Sequence, residues 1–380
     1  MRFSLLSGAY KNSGDYLIVE RSKALLRHVY PDCEIHDYVR KNKLDDVLDE
    51  INSSDALILA GGPAYRYELY PGIVPLVADL DEIKVPIYSI GLGWKGIDDS
   101  SSLLYTSYKF SSKTVHLLHR MENEANLSCR DWYSVRALRE NGLKRSAMTG
   151  CPAWYHIPSV DRTDMRLGWR FPYQKICISD PGETSNLELS RKVAMLIKEC
   201  YPEASLFYVF HRGIKQDDAH DAKGDFMRKE LAKYLQDMGI EVVDISGSAN
   251  GFSIYDDCDL HVGMRVHAHI YNLSIRNPSL LLEEDGRGAG VNDALGLARL
   301  KIFTSVDVFG GGASMLLKKT YGFMARYIPR LKRNHWVLKE LKDELLNMQH
   351  DDFRRIRQAF AKQKDYFEVM CRHIATFNKN

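Results

Sequence analysis

An arginine and two histidines stand at alternate positions, Arg265, His267 and His269. They follow a short apolar run over 259–262 and Gly263, a residue suited to an unusual turn. An amphipathic run over 266–275 comes next, and Pro278 opens a second apolar run over 279–282. This pattern predicts a strand, a turn, a helix and a strand. The polar residues then fall where a strand ends and a helix begins. Ligands of open α/β sheets bind at that carboxyl edge, and a helix N-terminus favours anions. Arg265 offers a fork of donors that matches phosphate or carboxylate. His267 can exchange a proton near neutral pH. An anion clamp beside a proton carrier is the chemistry this spacing predicts. A His-x-His pair can also hold a metal, but no carboxylate or Cys stands at ligand spacing in this helix, so none is expected.

Two series of alternating strands and helices must position this unit. The first predicts strands over 3–6, 33–38, 56–60, 85–90, 127–130 and 147–150, with helices over 15–29, 44–51, 100–108, 114–124 and 131–140. Asp15 and Asp131 are the expected helix caps. Small-residue loops follow three of the strands, at 7–14, at Gly61-Gly62-Pro63 and at Gly91-Leu92-Gly93. No GxGxxG is present, so a dinucleotide is not indicated. Residues 151–173 hold three Pro and no clear period, and read as a linker. The second series predicts strands over 175–179, 206–210 and 241–244 and helices over 186–200, 222–238 and 252–256, ahead of the unit at 259–282. The expected fold is α/β: two Rossmann-like domains, 1–150 and 174–314, facing a cleft, then a helical tail over 315–380. Arg130, His211 and Arg212 end strands on the cleft side, while Tyr65, Arg66 and Tyr67 follow the glycine pair and offer a sugar-binding surface.

Gly263-Met264-Arg265-Val266-His267-Ala268, Asn277-Pro278 and Leu295-Gly296-Leu297 together resemble the polysaccharide pyruvyltransferase family. Asn12-Ser13-Gly14-Asp15, Gly61-Gly62-Pro63, and Arg130-Asp131 with Ser134, Leu138 and Gly142 match further elements of its pattern in the same order. The chain differs at two places: Arg287 stands where the family often has Lys, and Cys151-Pro152-Ala153 where Asp-Pro-Ala is usual. The resemblance implies the GT-B architecture. It also implies transfer of a pyruvyl group from phosphoenolpyruvate to a sugar of a surface polysaccharide or glycolipid, as a ketal, with no cofactor beyond that substrate. Catalysis would fall to His267 and Arg265. Donor binding would fall to Arg265, Arg130, His211, Arg212 and Arg287, and acceptor binding to Asn12, Gly14, Asp15, Gly61, Gly62 and Tyr65. The alternative is a GT-B glycosyltransferase with a nucleotide-sugar donor, Glu283 or Glu284 on the ribose and Arg265 on the diphosphate. A non-catalytic polysaccharide-binding scaffold is a third reading.

Composition narrows the classes. The chain has 380 residues, 45% apolar and 27% charged, as a globular protein with real cores should. A net charge of +2 argues against a nucleic-acid binder. The charge is uneven, because 315–380 carries 15 Lys+Arg against 7 Asp+Glu. Aromatics Phe323, Tyr327, Trp336 and Phe353 are interleaved there, so the tail is expected either to cross back onto the first domain or to meet anionic lipid peripherally. The odd number of Cys, seven, with no CxxC pair, points to a reducing cytoplasm. The N-terminal apolar run is too short for a signal peptide, and no apolar window is long enough to span a membrane.

Overall fold

The computed structural model describes residues 1–8, 12–94, 108–165, 171–214, 222–303 and 334–378. The first half contains β1 (Arg2–Ser7), α1 (Ser13–Val29), β2 (Glu34–Val39), α2 (Leu48–Asn52), β3 (Ala56–Ala60), β4 (Ile87–Ile90), α3 (Ser112–Glu124), β5 (Leu127–Cys129), α4 (Trp132–Arg139) and β6 (Ser146–Met148). Its four-stranded sheet is parallel, in the order β2-β1-β3-β4. The parallel pair β5–β6 joins this layer through a bridge between Leu92 and Cys129. The second half contains β7 (Lys175–Ser179), α5 (Leu187–Cys200), β8 (Ser205–Phe210), α6 (Ala222–Asp237), β9 (Glu241–Asp244), β10 (Leu260–Gly263), α7 (Val266–Ser274), β11 (Ser279–Glu283), α8 (Gly286–Leu295) and β12 (Leu300–Lys301). These strands form one six-stranded parallel sheet, β12-β11-β10-β7-β8-β9. The protein is therefore α/β, with two parallel sheets facing a cleft and a helical C-terminal tail.

Parallel strands covered on both faces must be apolar throughout. All five residues of β3, Ala-Leu-Ile-Leu-Ala, are buried accordingly. Each buried Leu or Ile of such a strand contributes about 1.5–3 kcal/mol. Local signals start the helices. The Asp131 carboxylate accepts the Ser134 N–H at 2.7 Å and caps α4 as expected. Asp15 does not cap α1, however: Asn12 holds the N-cap position and Asp15 lies inside the first turn. Gly263 also differs from expectation. It needs no unusual dihedral, and its use is a close approach between strands, since a Cβ there would fall 2.2 Å from the Ser179 hydroxyl.

Helix α8 is not marked in the sequence pattern. Its run Gly-Arg-Gly-Ala-Gly has poor helix propensity. Burial overrides this, because a Cβ on Gly290 would meet the Asp131 carboxylate of the other half at 2.7 Å. The Leu295-Gly296-Leu297 signature is this helix's stop: Gly296 is left-handed and the Leu297 N–H reaches the Asn292 carbonyl at 2.8 Å. The helix expected over 100–108 lies almost wholly outside the described residues, as does the stretch 315–333 of the tail.

The tail forms α9 (Val337–His350) and α10 (Arg354–Ile374). Helix α10 touches α1 in the first half and α7 and α8 in the second. His373 binds the Ser89 carbonyl at 2.8 Å, Phe377 stacks on Tyr88 at 4.2 Å, and Gln363 accepts from Arg276 at 2.9 Å. Of the aromatics interleaved with tail charges, Phe353 is buried and Trp336 is exposed, while Phe323 and Tyr327 lie outside the described residues. Among the described residues no helix is long and apolar enough to cross a membrane.

Candidate active site

The carboxyl ends of the strands from both sheets converge on a cleft of about 790 Å³. Gly8 follows β1, Arg40 and Lys41 follow β2, and Pro63 and Arg66 follow β3. Arg130 follows β5. From the other sheet come Gly182 after β7, His211 and Arg212 after β8, Arg265 after β10, and Glu284, Asp285 and Arg287 after β11. The edge rule used on the sequence thus accounts for most of the lining.

Helix α7 starts in this cleft with Arg265 as its extended N-cap. Ser179 fixes that corner: its hydroxyl accepts the Arg265 N–H at 3.2 Å and meets His261 Nε2 at 3.0 Å. The Arg265 fork, expected to clamp an anion, is spent within the protein. Nε and Nη2 donate to the two oxygens of buried Asp180 at 2.7 and 2.6 Å, which leaves Nη1 as the donor without a partner among the described residues. The arginine is thereby a fixed positive wall rather than a free fork.

His267 lies in the first turn of α7 and lines the cleft. Burial lowers its pKa to about 3, and the charges of Arg287, Arg130 and Arg265 act in the same direction. In the free protein it is a neutral imidazole. The first half supports it directly, because α1 presents Gly14 against its ring; a Cβ there would fall 1.9 Å from Nδ1. Gly14 is not among the residues lining the cleft, and its missing side chain makes room for His267. Gly14→Ala should lower thermal stability, because the added Cβ overlaps a buried ring and overpacking costs about 1–3 kcal/mol, which outweighs the gain in helix propensity. Turnover should fall about tenfold or more as the ring is displaced. Unchanged turnover with a folded variant would show that the ring's place does not matter.

The other expected site residues divide. Asn12, Asp15, Arg130, Arg212 and Arg287 line the cleft. His211 reaches it but has no free nitrogen: Nδ1 meets Ser13 Oγ at 2.9 Å and Nε2 meets Tyr255 OH at 2.8 Å. Burial, with Arg265 nearby, holds its pKa well below the ordinary histidine value. Through Ser13 it joins the two halves, and both ring nitrogens already have partners within the protein. Tyr65 is fully buried with its hydroxyl on the Ser128 carbonyl at 3.1 Å, away from the cleft. Gly61 and Gly62 form a left-handed turn behind Arg40, whose Nη1 donates to the Gly61 carbonyl at 3.2 Å. His269 faces Ser279 at 2.7 Å inside the core, so the two histidines of the His-x-His pair part ways. Cys151, at the position of the family's usual Asp, is a buried thiol pushed up to about 11 by burial.

Charge organises the cleft. Six arginines and Lys41 line it against the carboxylates Asp15, Glu183, Glu284 and Asp285. Arg130 pairs with Asp131 at 3.1 Å and Arg287 with Asp285 at 2.8 Å. Arg40, Lys41, Arg66 and Arg212 have no ion pair among the described residues. Partial burial lowers the Arg212 pKa, and Arg265 and Arg287 add to this. Burial raises the Asp15 pKa, opposed by its Asn12 hydrogen bond and by Arg40, Arg212 and Arg287. Glu284 is held by the Gly182 and Glu183 N–H groups and by Asn186, and Glu283 by Arg299 and Asn292. Arg40 and Lys41 were not singled out in the sequence, and Arg66 only as part of a sugar-binding surface, although each follows a strand end or the loop after it, as Arg130 and Arg265 do.

A cationic cleft between two parallel sheets, with one imidazole at a helix start, defines an α/β protein whose cleft suits an anionic ligand. A family model for polysaccharide pyruvyl transferases matches residues 12–273. The match spans more than half of the chain, which belongs to this family. No curated protein matches it. Among solved structures, a co-structure of S. aureus MnaA with UDP is 10% identical with a TM-score of 0.46, covering 90% of this chain and 95% of that one. A variant of the wall teichoic acid polymerase TagF is 11% identical with a TM-score of 0.45, covering 100% and 90%. The UDP-GlcNAc 2-epimerase from Neisseria meningitidis bound to UDP-GlcNAc is 10% identical with a TM-score of 0.43, covering 91% and 100%.

Proposed function

We propose that this transferase takes its pyruvyl group from phosphoenolpyruvate and closes a ketal on a sugar of a surface polysaccharide or glycolipid. The observation that carries the reading is the excess of cations around His267. Phosphoenolpyruvate brings a carboxylate and a phosphate to one small molecule. Arg212, with its unpaired guanidinium, and the walls formed by Arg265 and Arg287 suit both groups. His267 donates a proton to the methylene carbon, which makes C2 electrophilic. A sugar hydroxyl attacks C2 and gives its proton to Asp15, a cleft-lining carboxylate whose proton affinity burial raises. A second hydroxyl then replaces phosphate at C2, assisted by the cations around the leaving group. The two hydroxyl protons end on the new methyl carbon and on the released phosphate, so the enzyme returns to its starting state.

Of the two carboxylates in the nucleotide-sugar alternative, Glu283 is buried away from the cleft, and Glu284 lines it while accepting from Gly182, Glu183 and Asn186. Peripheral lipid contact through the tail stays a separate proposal resting on its charge alone. Phosphoenolpyruvate should raise the melting temperature and release phosphate when a suitable acceptor is added. Stabilisation by nucleotide sugars and none by phosphoenolpyruvate would reject the donor.

A further inference from the structure

We propose that the cleft contains a second anion subsite, built by Arg40, Lys41 and Arg66, that takes a phosphate attached to the acceptor sugar. This rests on the pyruvyl-transfer reading, in which the donor occupies the cations of the second sheet. Two groups of charge flank Asp15. On one side, Asp15 senses Arg212 and Arg287. On the other it senses Arg40, whose own neighbouring charges are Asp15 and Arg66. The first group comes from the ends of β8 and β11, the second from the ends of β2 and β3.

Three features mark the second group as a built site. Its cations have no carboxylate partner in an ion pair among the described residues, whereas Arg130, Arg265 and Arg287 each have one. Arg40 is held in place by backbone: a Cβ on Gly8 or Gly62 would fall 2.6 or 2.7 Å from its guanidinium. Its Nε is buried without a hydrogen-bond partner. Like charges gathered beside a low-dielectric wall repel one another, and a bound anion relieves that repulsion.

The rest of the lining says what the anion belongs to. A neutral sugar is commonly met by an aromatic ring and uncharged polar groups. Among the described residues no Tyr, Trp or Phe lines the cleft; the first half supplies Pro63, Pro71 and Ile73 beside its cations. A three-carbon donor fills only part of the cleft, and both of its charged groups are met on the opposite side. The acceptor therefore carries a phosphate near the hydroxyls that receive the ketal. The source is either a phosphate within the glycan or the diphosphate that joins a sugar to a lipid carrier.

Calorimetry on the full chain tests this with three probes, each added at saturating phosphoenolpyruvate: a methyl hexoside, a hexose 1-phosphate, and a hexosyl diphosphate bearing a short lipid tail. The phosphorylated probes should bind at least about tenfold more tightly than the hexoside, as charge-assisted bonds to an arginine imply. Added salt should reduce this preference. Lys41→Ala and Arg66→Ala, both at the cleft rim, should each reduce it, and the double variant should abolish it. A clear gain from the tailed diphosphate assigns the phosphate to a lipid carrier; equal binding of the two phosphorylated probes assigns it to the glycan. Equal affinity for the hexoside and hexose 1-phosphate, or a preference that survives the double variant, overturns the subsite. Phosphoenolpyruvate is also titrated alone. Its failure to bind would end the donor reading while leaving the phosphate preference to stand or fall by itself.

Discussion

His267→Gln should lower turnover by about 100-fold or more, the typical contribution of a general acid, with donor affinity little changed. The proton balance makes the test sharper. In the free protein, burial and three arginines hold the His267 pKa at about 3, so the ring is neutral at pH 7. The N-terminus of α7 opposes the imidazolium as well. A bound dianionic donor acts in the opposite direction and stabilises the charged ring. The wild type should therefore take up a proton when phosphoenolpyruvate binds near neutral pH. Calorimetry in buffers of different ionisation enthalpy reads that uptake, and the variant should lack it. With the donor bound, the rate should fall as pH rises past the raised pKa of His267, and this limb should disappear in the variant. Near-normal turnover of His267→Gln would remove the histidine from catalysis. His211 and His269 are poorly placed to replace it, because hydrogen bonds engage both nitrogens of one ring and the other ring lies in the core; the cleft carboxylates, Asp15 and Glu284 among them, would be the remaining proton carriers.

The second large effect is expected at Asp180. Its carboxylate receives two bonds from Arg265 and the backbone N–H of His211, and both members of the ion pair are largely withdrawn from water. Asp180→Ala leaves the guanidinium uncompensated. Removing one partner of such a pair costs about 3–5 kcal/mol, measurable by urea denaturation. Donor affinity should fall too, because Arg265 loses its fixed orientation. Arg265→Lys tests the same pair from the other side: charge remains, but the two-pronged contact does not. Full stability of Asp180→Ala would mean that water or a neighbouring group already satisfies Arg265.

These expectations show what the amino-acid sequence made legible. Lys175–Ser179 and Glu241–Asp244 could be bounded by eye because short apolar runs there end at polar residues. The place of Arg265 and His267 followed from the same logic, since a strand end next to a helix start has one side facing the cleft. Partnership was not legible. Nothing near Arg265 in the chain announces Asp180, which lies 85 residues away, or shows that Ser13 and Tyr255 hold the ring of His211. Tyr65 was misplaced for a related reason: a ring after a glycine turn can face either way, and the core claimed this one. Helix α8 escaped because its glycines serve packing against the other half, a tertiary gain that local propensity does not contain.

Helix α10 has a consequence for the order in which the molecule can be completed. Its last turn binds Ser89 through His373, a contact between residues 284 apart in the chain. Contacts so distant are late events in folding, because the intervening chain must already be ordered or lose much of its freedom at once. During synthesis the first sheet leaves the ribosome with Tyr88 uncovered and its edge unfinished. The second sheet must then form, and only afterwards can the final helix reach both. The fixing of one sheet against the other is thus a late event, complete only when α10 has docked on elements of both halves.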